Sequence, residues 1–378
     1  MEHTFDHYIR SLYAKRPLPL AYKKGMTAEE REAWRAAVKE RVRKNMDFPE
    51  WVYETPVVRF LDRKDRGAYF VEKYEISPEP ELWMRFLLLV PKTASEENKS
   101  PAVLCAPGTK WRKECLAAEE FFDLTYEPAQ PPTGLAHRYY YANAMAQHYA
   151  LHGMTALACD DLASGESLGG ILPATAERLL IAQGRSMMSV TVELRLAMLK
   201  FLKSLPYVDK ERLAVSGHSL GVDSLMHAVL LDEDVKAFVY NDFICDTSER
   251  ILAFCPPENA IFCEWHVYPG VHRYFNYPDL LAAFAPRKLF ITEGGRTEYL
   301  LKVKSAYEEL GAEENYRYDY YPDYADPASR VHDGEPLHGG MTHAEYFEYA
   351  NVVPEKHFFK FETAVPWLLR ALGKEEKR

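Results

Sequence analysis

The chain has 378 residues, 47% of them hydrophobic, and a formal net charge of −10 at pH 7. This length and apolar content are sufficient for a large core and fit an α/β domain of ordinary to large size. The acidic balance argues against a nucleic-acid-binding or anionic membrane-binding surface. We therefore expect no nucleic-acid partner and no membrane partner.

The N-terminus and the cysteines bear on the compartment. Residues 1–6 lack the basic start and apolar run of a signal peptide. No segment approaches the roughly 18 consecutive apolar residues of a membrane helix. The six cysteines have no metal-type C-x-x-C spacing, and Cys105 and Cys159 fall in apolar, strand-like runs, as small buried residues do. These features predict a cytoplasmic protein with reduced cysteines, no metal and no other cofactor.

The first part of the chain is predicted to be helical. Residues 1–55 form an N-terminal helical extension ahead of a main domain at 56–378. Thr27 and Glu30 form a capping box, so a helix is expected from there through Met46. Strand-like runs then follow at 57–61, 68–76 and 82–90.

Beyond residue 100, apolar strand-like runs alternate with helical stretches. The predicted strands are 102–106, 154–159, 212–216, 236–241, 287–292 and 316–321. The predicted helices are 138–152, 185–204, 222–232 and 299–310. Alternation of this kind predicts an α/β fold with a mostly parallel central sheet and helices on both faces.

Two insertions interrupt this alternation. Residues 122–136 combine prolines with aromatic residues, and residues 322–354 are rich in Tyr, His, Asp and Gly. Long loops on a rigid scaffold usually carry function, and both follow strands whose carboxyl ends should face one site. We expect them to form walls or a lid of a substrate pocket. The second one also contains residue types that bind metals, in a spacing that matches no site signature: His332, Asp333, Glu335, His338, His343 and Glu345.

The motif G-x-S-x-G occurs at residues 217–221, between a strand-like run and a helical one. In this context the motif is typical of a nucleophile elbow, in which the serine lies on a strand-to-helix turn. The flanking glycines permit a turn so tight that the serine adopts a strained conformation. The pattern therefore predicts Ser219 as a nucleophile.

A serine nucleophile needs a base that takes its proton, and in this architecture the base is a histidine late in the chain. The sequence offers four candidates there: His332, His338, His343 and His357.

At this point the chain resembles α/β-hydrolases of the dienelactone hydrolase and acetyl xylan esterase type. The resemblance covers about residues 82–373 and rests on 101–108, 156–160, the 217–221 elbow and the segment that begins at His357. It implies an α/β-hydrolase fold, so that residues 56–378 would form the catalytic domain.

The resemblance also bears on the histidine. In such enzymes the histidine precedes the last helix and is followed by an acidic residue and a Trp-Leu pair, as His357 is by Glu362 and Trp367. The resemblance therefore favours His357 as the base, while His338 and His343 stay open because a long insertion separates the last strand from His357.

The acid that orients the histidine is less well defined. Dienelactone-type relatives carry it after strand 287–292, where this chain has Thr297 in place of the expected aspartate. Glu298 beside it, or Glu293 at the strand end, could supply the charge. Glucuronoyl esterases carry the acid after the strand that follows the nucleophile helix, a place that Asp242 takes here. Asp242 is the leading candidate, and Glu298 and Glu293 stay open.

Backbone N–H groups must stabilise the oxyanion of the tetrahedral intermediate. One should come from Leu220, the residue after the nucleophile. The other should come from the turn after strand 102–106, where relatives have His-Gly and this chain has Pro107-Gly108. The backbone N–H of Thr109 is the expected second donor.

Together these features predict a serine carboxylesterase that hydrolyses a small or medium acyl ester through an acyl-enzyme intermediate. The tyrosines of 316–349 point to a carbohydrate ester, because sugars stack on aromatic rings. Two alternatives stay open: a catalytically inactive α/β-hydrolase that acts as a binding protein, and a serine peptidase of the prolyl-oligopeptidase kind. The expected partner is a small-molecule or oligosaccharide ester, and the oligomeric state is left open, a homo-oligomer included.

Overall fold

A computed structural model of the chain describes residues 4–109, 111–119, 140–167, 169–253 and 264–373. In these residues nine strands form one sheet in the order β1-β2-β3-β5-β4-β6-β7-β8-β9. The strands are β1 (Val57–Asp65), β2 (Tyr69–Glu79), β3 (Leu82–Pro91), β4 (Ser100–Ala106), β5 (Thr155–Cys159), β6 (Val208–His218), β7 (Val235–Asn241), β8 (Lys288–Ile291) and β9 (Tyr316–Tyr318).

Thirteen α-helices lie wholly within the described residues. They are α1 (Phe5–Ala14), α2 (Ala28–Met46), α3 (Lys113–Leu116), α4 (Met145–Leu151), α5 (Pro173–Ala182), α6 (Met187–Ser204), α7 (Gly221–Leu231), α8 (Thr247–Ala253), α9 (Val271–Tyr274), α10 (Tyr277–Phe284), α11 (Thr297–Glu308), α12 (His343–Tyr349) and α13 (Phe361–Ala371). No helix of the described residues has the length and apolarity needed to cross a bilayer.

The direction of the strands divides the sheet in two. β1, β2 and β3 pair antiparallel, and β3 is also antiparallel to β5. From β5 through β9 all neighbouring strands are parallel, which confirms the predicted mostly parallel sheet. The carboxyl ends of β4, β6, β7 and β8 therefore meet at one edge, where ligands bind in open α/β sheets.

Helices cover both faces of the sheet. One core cluster joins the strands to buried residues of α2, α6, α7, α10 and α11, such as Val38, Leu199 and Val229. The other joins them to α4 and α13 through Tyr149 and Leu368. α2 begins at the predicted capping box and lies in the first cluster, so this N-terminal helix packs on the sheet domain.

Several element boundaries differ from expectation: β1 continues to Asp65, beyond residue 61, and β6 begins at Val208, ahead of residue 212. β9 ends at Tyr318 and not at residue 321, because a 3-10 turn begins at Pro322, whose nitrogen cannot donate a ladder hydrogen bond. The predicted helix 138–152 is described from residue 140, and its regular part is α4, Met145–Leu151. The predicted insertion 122–136 lies outside the described residues.

Buried ion pairs connect the chain segments that lie next to the carboxyl edge of the sheet. Lys113 is fully buried and contacts Asp160 at 2.9 Å, which ties the segment after β4 to the end of β5. Arg195 in α6 contacts Asp161 at 2.7 Å. Asp160 and Asp161 are therefore both paired with a buried cation, and they join neighbouring segments of the interior. Cys105 and Cys159 are buried and free, as predicted.

Candidate active site

Ser219 lies in a sharp turn between β6 and α7. Its φ is 50°, the left-handed region, and its N–H donates to Asn241 O at 3.0 Å. A Cβ added to Gly221 would lie 2.5 Å from Ala106 O, and one added to Gly217 would lie 2.9 Å from Val222 N. Both contacts are with backbone, so the turn requires glycine at both positions. This is the geometry of a nucleophile elbow, with the serine raised above the sheet edge.

His357 follows a short 3-10 turn, Pro354–Lys356, and precedes α13. Its Nδ1 lies 2.5 Å from Oε2 of Glu293, which lies two residues past the end of β8 and is fully buried. The Nζ of Lys360 donates to the other carboxylate oxygen at 2.5 Å and to the carbonyl of Phe358 at 2.8 Å. Both carboxylate oxygens of Glu293 are therefore hydrogen-bonded. These contacts fix the carboxylate, and the carboxylate in turn fixes the orientation of the His357 imidazole.

The charges of this group determine its protonation. Burial would raise the pKa of Glu293, but His357 and Lys360 together lower it to about 2. Burial would lower the pKa of His357, and the carboxylate of Glu293 outweighs this, so the pKa of His357 is raised. Glu293 is therefore ionised at neutral pH and stabilises the protonated form of His357.

Neither of the two acids preferred from the sequence forms a hydrogen bond with His357, although Asp242 lies in the same cavity. Asp242 follows β7 and accepts a hydrogen bond from the N–H of Phe243 at 2.9 Å, and burial raises its pKa to about 6. Glu298 pairs with Arg296 at 2.7 Å. Thr297, in the position expected for aspartate, is the first residue of α11 and contacts Tyr320 and Asp333. Nδ1 of His357 donates its hydrogen bond to Glu293, one of the two candidates that the sequence left open behind Asp242.

The other late histidines have different surroundings. His332 stacks on Tyr349 at 4.0 Å and contacts Glu335 at 2.9 Å, and His343 begins α12. His338 lines a separate cavity beside Arg296. The metal-type residues of the insertion form no compact ligand group among the described residues.

A compact group of ligand-type residues exists at the elbow instead. His218, Glu293 and His357 place ligand atoms within 4.8 Å of one another. His218 is buried and its ring centroid lies 4.7 Å from that of His357. Lys360 already occupies one Glu293 oxygen with a positive charge, which disfavours a cation at this place.

Ser219 and His357 line one cavity of about 170 Å³. Its other described walls are Thr109, Leu220, Asp242, Phe243, Arg250, His266, Phe347, Val352 and Pro354. The last three belong to or directly follow the 322–354 insertion, whose buried residues pack on Phe243 in a cluster of their own. The insertion therefore supplies one wall of the cavity.

Two backbone N–H groups of this cavity lack acceptors. In the part of the chain that the structure describes, neither Thr109 N–H nor Leu220 N–H donates a hydrogen bond. The Thr109 loop is close to the nucleophile, since a Cβ added to the preceding Gly108 would lie 3.1 Å from Ser219 Cβ. Free donors beside a nucleophile can stabilise an oxyanion.

Three residues of the site were not singled out from the sequence: Lys360, Arg250 and His266. His266 forms a hydrogen-bonded pair with the buried Asp223 behind the cavity, and Arg250 projects from α8. The sequence signal for Glu293 was its position at the end of a predicted strand, directly before Gly294 and Gly295. No local pattern marks Lys360, Arg250 or His266, because each reaches the site through the packing of a distant segment.

The chain is similar to known proteins in sequence and in fold. The model of the Abhydrolase family matches residues 8–370. A solved structure named "putative acetyl xylan esterase (BF1801)", from Bacteroides fragilis NCTC 9343, is 30% identical with a TM-score of 0.86, over 98% of this chain and 95% of that chain. A search of curated proteins finds no match.

Two more distant structures share the fold. The one named "Methylesterase BT1017" is 14% identical with a TM-score of 0.55, over 95% of this chain and 71% of that chain. A glucuronoyl esterase from Solibacter usitatus is 16% identical with a TM-score of 0.52, over 79% of this chain and 88% of that chain.

Proposed function

Because the chain belongs to the Abhydrolase family of α/β-hydrolases, we propose that it is a serine esterase that removes a small acyl group from a carbohydrate ester. The observation that carries the proposal is the pairing of His357 with Glu293 at 2.5 Å in the cavity that Ser219 lines. A nucleophile, a base and an acid that holds the base are the parts that serine hydrolysis requires.

In the acylation step, Ser219 Oγ attacks the ester carbonyl carbon. Nδ1 of His357 is held by Glu293, so Nε2 is the nitrogen that takes the serine proton. The imidazolium that forms is stabilised by the ionised carboxylate of Glu293. The negative charge on the former carbonyl oxygen is stabilised by the N–H groups of Leu220 and Thr109. The intermediate then expels the alcohol, which takes the proton from His357.

In the deacylation step, His357 takes a proton from water, and the hydroxide equivalent attacks the acyl-serine carbonyl. The same two N–H groups stabilise the second oxyanion. Collapse of this intermediate breaks the bond to Ser219 Oγ, which regains its proton from His357, and the carboxylic acid leaves. Each step uses the same three side chains, so loss of any one of them affects both halves of the reaction.

The size of the cavity and the similarity to one solved structure support the choice of substrate. A volume of about 170 Å³ fits a small acyl group more readily than a long chain. The Bacteroides fragilis protein, similar over 98% of this chain, is named for acetyl xylan ester chemistry. Phe347, an aromatic residue of the insertion, lies at the cavity wall, where a sugar ring can stack.

The binding-protein alternative loses its main support. It rested on the missing aspartate at Thr297, and Glu293 supplies the carboxylate from two residues past the end of β8. Pro107 in place of a histidine leaves the N–H of Thr109 available.

The test is hydrolysis of 4-nitrophenyl acetate and of acetylated xylo-oligosaccharides, with released acetate measured for the second. We expect turnover by the parent protein and none above background in Ser219→Ala or His357→Ala. Ser204→Ala, which changes a serine at the end of α6, is the matched control and should retain activity. Hydrolysis that persists in Ser219→Ala would contradict the proposal.

A further inference from the structure

We propose that Arg250 binds a free carboxylate of the substrate, so that the preferred ester is anionic. This inference rests on the proposed esterase function and narrows its substrate class. Arg250 lies in α8 and lines the cavity together with Ser219 and His357. A carboxylate bound there would lie in the same cavity as the ester bond that Ser219 attacks.

The first observation is that no carboxylate or hydrogen-bond acceptor among the described residues pairs with the guanidinium of Arg250. Arg250 forms no ion pair with any described carboxylate, and its Nε is buried without a hydrogen-bond acceptor. Its nearest described aromatic contact is the ring of Phe243, 5.5 Å from Cζ, beyond hydrogen-bonding distance. A buried donor on a charged group without an acceptor is unfavourable, and a bound anion would remove that cost.

Other sheltered arginines of the protein show what Arg250 lacks. Arg195 contacts Asp161 at 2.7 Å, Arg185 contacts Glu79 at 2.6 Å, and Arg31 contacts Glu309 at 3.3 Å. These three have an acidic partner from a distant segment of the chain. Of these four arginines, only Arg250 lacks an acidic partner among the described residues. Because Arg250 faces the cavity, a bound ligand can act as its partner.

Asp242 lines the same cavity as Arg250 but does not form an ion pair with its guanidinium. No ion pair joins the two residues, although each affects the charge of the other at longer range. The N–H groups of Arg250 therefore stay available to a ligand, while Asp242 reduces the net attraction for an anion. A planar guanidinium binds a carboxylate through two parallel hydrogen bonds, which selects this group over a sugar hydroxyl.

The carboxylate can come from either side of the ester. On the acyl side it would be the free end of a dicarboxylic acid half-ester. On the alcohol side it would be the carboxylate of an acylated uronic acid. Both present the same group to Arg250, and paired substrates separate them.

The experiment compares charged and neutral esters of equal length. The acyl-side pair is mono-4-nitrophenyl glutarate and 4-nitrophenyl valerate, and the alcohol-side pair is acetylated methyl glucuronoside and acetylated methyl glucoside. The background is the rate with Ser219→Ala. We expect the parent to prefer the charged member of one pair, and Arg250→Met to reduce that preference about 10- to 100-fold. Arg59→Met, an exposed arginine on β1, should keep it.

Binding gives a readout that does not depend on turnover. Calorimetry with glutarate and with methyl glucuronoside should show binding of at least one to the parent, weakened about tenfold or more in Arg250→Met and unchanged in Arg59→Met. Equal rates on charged and neutral esters, with neither carboxylate bound, would overturn the role of Arg250 and leave the esterase proposal intact. Carboxylate binding without hydrolysis of any ester would support Arg250 and contradict the esterase.

Discussion

Nδ1 of His357 and Oε2 of Glu293 lie 2.5 Å apart, although 64 residues separate them in the chain. Glu293 stands just beyond β8 at the carboxyl edge of the sheet, and His357 approaches it from the loop before α13. Because Glu293 is fully buried, its charge acts on the imidazole with little screening by water. The pH dependence of the reaction should therefore report this contact.

The first prediction concerns the acid limb of the pH profile of kcat/KM, the range in which activity falls as the pH decreases. His357 acts as a base only when neutral, and Glu293 raises its pKa above the ordinary 6.5 despite the opposing effect of burial. kcat/KM should therefore fall as the pH decreases through a midpoint above 6.5, while Glu293, with its pKa near 2, stays ionised throughout. Rates on 4-nitrophenyl acetate between pH 5 and 9 measure this, and a midpoint below 6.5 contradicts it.

The charge of Lys360 should also affect the midpoint of the acid limb of kcat/KM. Its positive charge beside Glu293 lowers the pKa of His357, so Lys360→Met should move the acid limb to higher pH and also reduce kcat/KM. Lys356→Met is the control, because Lys356 pairs with Asp323 on the exposed surface of the same turn. If the Lys360 variant loses activity with no shift in the midpoint, Lys360 only supports the loop and the electrostatic account fails.

The elbow should not tolerate a side chain at Gly221. A Cβ there would lie 2.5 Å from the carbonyl oxygens of both Ala106 and Pro107, which belong to the backbone beside the oxyanion loop. Gly221→Ala should lower the melting temperature by about 5 °C or more and displace Ser219. Gly170→Ala, where no atom lies within 4 Å of the added Cβ, is the matched control. Equal melting temperatures of the two variants would refute the steric argument.

The fold and the elbow could be predicted from the sequence because their signals are local. Alternating apolar runs specify strands and helices, and the glycines of 217–221 specify the turn at Ser219. The strand at 212–216 and the helix at 222–232 are present within a few residues of the predicted bounds.

The carboxylate that contacts His357 could not be predicted, because this contact depends on how two distant loops meet. Asp242, Glu293 and Glu298 all follow strands that end at the same edge, so the sequence places all three near the site. Gly294 and Gly295 then turn the chain back directly after Glu293, with Gly295 so close to Ile244 O that a Cβ would lie 2.3 Å from it. This early turn leaves Glu293, and not a later residue, beside His357.

The most direct test compares Glu293→Gln with Asp242→Asn in one assay, with Tm measured for both. Both substitutions remove a negative charge at nearly constant size, so they form a matched pair. We expect Glu293→Gln to reduce kcat/KM on 4-nitrophenyl acetate about 10³- to 10⁴-fold and Asp242→Asn to reduce it by less than about tenfold. The larger loss in Asp242→Asn, with near-normal activity in Glu293→Gln, would contradict the assignment of Glu293 as the acid.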